Sequence, residues 1–193
     1  MASIGHLAVG MAAGRRVAVR REDAVRWMVW FAAVSLVADA DFGLVALGVP
    51  KDSIWGHRGV SHSLLLAAAA GLVSAWVARR WGQKPLSWGT MGFAVYTSHL
   101  VFDCLNVGSL GVPWFWPVSW TNYTIPWAPI PSVRTASEFL TPAGVPVLAA
   151  EVVLFAPFWI YALVLRRRAA APGAAQRAAP SWRVRRRVQS AVE

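Results

Sequence analysis

Long apolar runs, separated by arginine-rich or glycine- and proline-rich stretches, set the pattern of the chain. Residues 1–14 form a short apolar segment holding His6, shorter than the roughly 20 residues a helix needs to cross a bilayer. Arg15, Arg16, Arg20, Arg21 and Arg26 make a basic connection after it. The first full span reads from about Trp27 to Gly48, interrupted by Asp39-Ala40-Asp41 and ended by Gly48-Val49-Pro50. Lys51 and Asp52 then fall in water or at the interface. The stretch Gly56–His62 follows, where Gly59 loosens the backbone and Ser61 is the expected N-cap of the next helix. A second span runs from about Ser61 to Val77 and is closed by Arg79, Arg80 and Lys84. A third, from about Leu86 to Leu105, carries His99 and Asp103 near its far end and stops at Asn106-Val107-Gly108. Residues 107–143 are rich in Pro and Trp. Repeated prolines rule out a regular helix there, so the expectation is a long amphipathic loop in or on the interface. The last span runs from about Val145 to Leu165, and Arg166-Arg167-Arg168 stops it.

These elements predict an all-α fold: a polytopic membrane helical bundle of four transmembrane spans plus a short N-terminal apolar helix. Residues 1–165 make the membrane-embedded unit. Residues 166–193 make a basic tail expected to be disordered. No internal repeat is visible.

Composition agrees with that reading. The chain of 193 residues is 56% hydrophobic and 15% charged, against about 25% charged for an ordinary soluble domain. Its twelve tryptophans suit membrane–water interfaces. The net charge of +10 raises nucleic acid as a partner, but its distribution argues against that. Eight of the 19 Lys and Arg lie from Arg166 onward and most others flank apolar runs, and aromatics are not interleaved with the basic groups of the tail. Anionic lipid is the expected partner of the tail. The positive-inside rule then puts both termini in the cytoplasm, with Lys51–Arg58 and the 107–143 loop on the opposite side of the inner (cell) membrane. The basic residues follow the first apolar segment instead of preceding it, unlike a secretory signal peptide. The single cysteine, Cys104, excludes an internal disulfide and reads as a packing residue. Nothing in the sequence sets an oligomeric state.

Ionisable groups inside apolar segments require a reason. At about 1.5 Å rise per residue, His6, Asp39, His62, His99 and Asp103 each lie roughly 14–28 Å above the basic end of their own segment. They therefore share the middle and outer half of a hydrocarbon core about 30 Å thick. His99 and Asp103, four apart, share one helix face, and Asn106 continues the stripe. Asp39 and Asp41, two apart, converge only where the helix breaks, or else one is a ligand and the other supports it. His57 and His62 flank a loop-to-helix junction. Singly, each has a bland explanation: His6 as a packing residue, the His-x-x-x-Asp spacing as chance, Arg58 as an interfacial anchor. Together they point to a metal site, because each group left unpaired costs about 2.5–3.5 kcal/mol or more at the bilayer centre. Mixed His and Asp ligands suit zinc, with manganese or iron also compatible. The seven candidates are His6, Asp39, Asp41, His57, His62, His99 and Asp103, enough for one ion or for two sharing a bridging Asp. A metal there activates bound water. Asp39 or Asp103 is the candidate general base, and Arg58 suits a phosphate or carboxylate.

His6, Asp39-Ala40-Asp41, His57-Arg-Gly-Val-Ser-His62-Ser63 and Ser98-His-Leu-Val-Phe-Asp103, leading into Gly108 and Pro113 to Pro117, resemble a family of LexA-regulated, membrane-bound, metal-dependent hydrolases, over roughly residues 1–120. That family is remotely similar to zinc-dependent phospholipases C. The resemblance implies phosphoester hydrolysis on a helical scaffold. It also implies a proline before the first aspartate of the pair, where this chain has Ala38. The expected function is thus metal-dependent cleavage of a phospholipid or lipid-linked phosphoester. The alternatives are an intramembrane metal-ion or proton transporter and a non-catalytic membrane scaffold.

Overall fold

The structure, a computed structural model, describes residues 3–18, 22–107, 109, 111–131, 141–142 and 144–164. The tail expected to be disordered lies outside the described residues. Seven α-helices follow in order: α1 Ser3–Val17, α2 Ala24–Leu36, α3 Asp41–Ala46, α4 Leu64–Arg80, α5 Pro85–Cys104, α6 Gly144–Leu154 and α7 Ala156–Leu163. Two short 3₁₀ turns, Val37–Ala40 and Val60–His62, join them. No strand forms among the described residues, only the isolated bridges Asn106–Ile130 and Val112–Tyr123.

α2, the first 3₁₀ turn and α3 form one helical run, Ala24–Ala46, which is long and apolar enough to cross a membrane. The proline-free Asp39-Ala40-Asp41 segment thus breaks the regular α-geometry by tightening it, without ending the run. α6 and α7 meet that measure only if taken together, and they bend by 60°. α4 has 17 residues. α5 has 20 but interleaves Ser, Thr, Gly, His and Asp with its apolar positions. Of the four expected spans, then, one is a clear membrane-length apolar helix among the described residues, and a second is a bent pair.

One expectation fails in detail. The N-cap of α4 is Ser63, not Ser61: the Ser63 side chain accepts from the Leu66 backbone N–H at 3.4 Å. Ser61 sits two residues earlier, inside the 3₁₀ turn, and its hydroxyl is used elsewhere. α5 opens on Pro85 in its first turn, where a missing backbone N–H costs nothing.

Small residues let the helices approach closely. Gly10 and Gly14, one turn apart on α1, face α2. A Cβ at Gly14 would lie 2.2 Å from the Trp27 carbonyl oxygen, and one at Gly10 2.4 Å from that of Phe31. Gly92 of α5 meets Ser74 of α4 in the same way, with a Cβ 2.4 Å from its Oγ. α1 packs on α2 and α7, α4 packs on α5, and both α1 and α2 meet α5. At one end lie the arginines of α1 and α4 with an aromatic group, where Trp27 meets Trp81 and Trp88 at ring centroids 4.8 and 4.2 Å apart. The described part of the Pro/Trp loop has no helix, as expected. It covers the other end: Leu64 N–H donates to Trp114 O, and Ile130 N–H to Leu105 O. Val112 and Ile130 are buried there, while Phe115, Val118, Trp120 and Trp127 face outward.

Replacing Gly14 by Ala should force α1 from α2 and destabilise the fold by about 1–3 kcal/mol, the range for overpacking. Gly43→Ala, with nothing within 4 Å of the added methyl, should leave thermal unfolding in detergent unchanged or slightly raised. Equal melting temperatures for the two variants would show that the close approach is unimportant.

Candidate metal centre

Four segments deliver polar side chains to the loop-covered end of the bundle. α1 brings His6, the 3₁₀ turn after α2 brings Asp39, the turn before α4 brings His62, and the last turns of α5 bring His99 and Asp103. One ligand atom each from Asp39, His62, His99 and Asp103 lie within 4.8 Å of one another, a group that could hold a metal ion. His62 Nε2 is 3.3 Å from Asp103 Oδ2 and 4.0 Å from Asp39 Oδ1, and His99 Nε2 is 3.4 Å from Asp39 Oδ1 and 3.9 Å from Asp103 Oδ2. Tetrahedral ligands about 2.0–2.1 Å from a zinc ion would stand about 3.3 Å apart, so the two shorter spacings already match and the longer ones must contract.

Hydrogen bonds around the group set its tautomers. His99 Nδ1 is 2.7 Å from the Ser35 carbonyl oxygen. A carbonyl only accepts, so Nδ1 carries the proton and Nε2 keeps its lone pair. Ser61 Oγ donates its one proton to Asp41 Oδ2 at 2.6 Å. His62 Nδ1, 2.9 Å from that hydroxyl and 3.3 Å from Asp41 Oδ2, must therefore be the donor. This leaves Nε2 of His62 as a second lone pair aimed at Asp103. His62 Nε2, His99 Nε2 and Asp103 Oδ2 are all buried and make no hydrogen bond. Buried polar atoms are ordinarily paired, and a cation is the partner that lone pairs and carboxylate oxygens share.

Asp41, His57 and His62 form a second set of compatible atoms, joined to the first by His62 and by no aspartate. Its atoms satisfy one another. Asp41 accepts from His57 Nδ1 at 3.0 Å, from the Arg58 backbone N–H at 3.1 Å and from Ser61. Arg58 holds a positive φ of 67°, uncommon for a residue with a Cβ. It sets its guanidinium between Asp103, with Nε 3.3 Å from Oδ2, and the Ser109 hydroxyl, to which Nη1 donates at 2.7 Å. His6 stacks on His99 with centroids 3.7 Å apart and lies 3.7 Å from the other oxygen of Asp103, outside the four-atom group. Asn106 donates to Asp103 Oδ1 at 3.2 Å, as the helical stripe suggested. With neutral histidines, three carboxylates against one guanidinium leave two negative charges. A divalent cation offsets that sum, which the apolar bundle otherwise tolerates poorly.

Three contributors were not singled out from the sequence: Ser35, through its carbonyl; Ser61, through its hydroxyl; and Tyr96, whose hydroxyl donates to the Ser61 carbonyl at 2.6 Å. Only Ser61 carried a signal, its place between Arg58 and His62.

A model of a family described as YdjM inner membrane protein matches residues 1–171 of the chain. The inner membrane protein YbcI of Escherichia coli strain K12 is 32% identical over 123 residues, spanning 62% of this chain and 70% of that protein. No solved structure matches the chain.

Asp41 ties the 50–62 loop to the bundle with three hydrogen bonds. Asp41→Ala should destabilise the fold by about 1–3 kcal/mol per buried donor left unpaired and open the loop to protease. Asp52→Ala, at an exposed position, should do neither. Unchanged loop protection in the Asp41 variant would count against the tether.

Proposed function

The chain belongs to the YdjM inner membrane protein family, and on that footing we propose that it is a multi-pass, metal-dependent hydrolase acting on a phosphoester of a phospholipid or lipid-linked substrate. The carrying observation is the convergence of His62 Nε2, His99 Nε2 and Asp103 Oδ2, buried and without hydrogen bonds, on Asp39 Oδ1. One divalent ion, best zinc, is held by Asp39, His62, His99 and Asp103. His6 and the Asp41–His57 pair act as supports. Asp41 orients His62 through Nδ1, the Ser35 carbonyl orients His99, and Asn106 steadies Asp103, the kind of outer partners that metal-bound imidazoles and carboxylates have. The ion supplies Lewis acidity and an activated water when bound.

The chain's own residues divide the remaining work. Asp39, His57 and Arg58 are the partly accessible edge of an otherwise buried group; the side chain of Asp39 is 14% exposed and that of Arg58 18%. Asp39 is placed to take a proton from water entering there. Arg58 presents a planar cation suited to a phosphate. Both termini in the cytoplasm and the site toward the outer leaflet follow from the arginine distribution, and a substrate with a lipid headgroup fits a site at that depth. The basic tail touches anionic lipid and takes no part in hydrolysis. The transport alternative draws less support, because the ligand atoms gather at one end of the bundle and do not line a path across it.

Purified protein should carry about one zinc per chain and release phosphate or a phosphorylated headgroup from lipid extracts. His62→Ala and His99→Ala should each lose both metal and hydrolysis, and chelation should abolish turnover until metal is restored. Asp41→Asn should weaken metal affinity about 10–100-fold, the usual cost of losing an outer partner. Truncation after Leu165 should leave hydrolysis intact. Full lipid hydrolysis by His62→Ala would overturn the assignment, and zinc uptake into liposomes without hydrolysis would favour transport.

A further inference from the structure

An apolar cavity stands apart from the histidines and aspartates. It is a groove of about 440 Å³ between α1, α5 and α7, with none of the candidate ligands in its walls. One wall is the α1 face from Val9 to Arg16, the second is the α5 face from Met91 to Ser98, and the third includes Phe158 and Tyr161 of α7. On both α1 and α5 the lining positions recur at i, i+3, i+4 and i+7, the pattern of one continuous helix face, so the groove runs along the helices for about 10 Å. Its walls are almost wholly apolar, and the Ser98 hydroxyl is turned onto its own helix, donating to the Val95 carbonyl at 2.7 Å. One permanent charge stands in it: Arg16, in the last turn of α1, about 15 Å along the axis from His6. In the membrane placement proposed above, this end faces the cytoplasm.

We propose that the groove is a lipid-binding site that takes one acyl chain of an anionic phospholipid from the cytoplasmic leaflet, with the headgroup on Arg16. The apolar walls match a hydrocarbon chain in chemistry and take up part of its length, and the volume exceeds what isolated waters need. A guanidinium at the cytoplasmic mouth of a groove between helices attracts anionic headgroups and gives a zwitterionic one no advantage. The site is chemically separate from the metal centre. It depends on the placement of the bundle in the membrane but not on hydrolysis.

The full chain, stripped of lipid in detergent and offered equal amounts of phosphatidylglycerol and phosphatidylethanolamine, is the sample, and native mass spectrometry is the readout. The wild type should retain one phospholipid per chain, with phosphatidylglycerol enriched severalfold. Ala94→Phe fills the groove from an exposed position and should cut retention at least tenfold. Arg16→Gln should abolish the enrichment. Metal content should be equal in all three, so that failure here is distinguishable from failure of the metal centre. Equal retention by the wild type and Ala94→Phe would overturn the proposal, as would enrichment that survives in Arg16→Gln. Conversion of a dimer to a monomer by Ala94→Phe with no change in lipid would overturn it too, and would make a second copy of the chain the occupant.

Discussion

A polar atom inside an apolar bundle must have a partner, and the loop-covered end of this bundle is arranged around that requirement. Three aspartates, four imidazoles and an arginine meet in a small volume. Most of their donors and acceptors are used between themselves or on nearby serine and tyrosine groups. Among the atoms left without a hydrogen bond, two imidazole lone pairs and one carboxylate oxygen lie together and face Asp39. Because the far nitrogens of His62 and His99 and the other oxygen of Asp103 are engaged, the orientation of these atoms is fixed, and the group is held ready for a cation.

The supporting bonds come from different parts of the chain, which gives the centre its dependence on the fold as a whole. Asp41 lies just after the tightened turn that bears Asp39, and it grips the backbone of Arg58 and the hydroxyl of Ser61. Tyr96, on α5, holds the Ser61 carbonyl. Ser35, on α2, holds both the His6 carbonyl, through its hydroxyl, and His99, through its own carbonyl. Such bonds form only if the helix axes are close. The glycines at Gly10, Gly14 and Gly92 allow this, because a methyl group at any of them would collide with the facing helix.

Much of this was legible along the chain. The apolar runs mark the helices, proline marks the start of α5 and the absence of helix in the described part of the 107–143 loop, and height above the basic ends puts His6, Asp39, His62, His99 and Asp103 in one layer. Less legible was what depends on local competition for hydrogen bonds. Ser61 and Ser63 are both plausible caps by residue type; Ser63 takes the role because the Asp41 carboxylate claims Ser61. Less legible too was which apolar runs form membrane-length apolar helices, since α4 is short and α5 carries many polar residues. The close approach of α1 to α2 rests on glycines whose effect is visible only once the facing backbone is known.

The sequence by itself determined the helical character, the polarity of the two ends and the set of ionisable residues that would have to find partners, because periodicity, charge distribution and residue type are properties of the chain alone. Only the tertiary structure decided which nitrogen of each histidine faces the group, that Asp39 and Asp41 belong to different sets, and that His62 and no aspartate joins them. The reason is physical. Ring orientation and proton position are set by what the far side of the side chain touches, and those partners, the Ser35 carbonyl for His99 and the Asp41 carboxylate for His62, come from segments whose nearness no local pattern records.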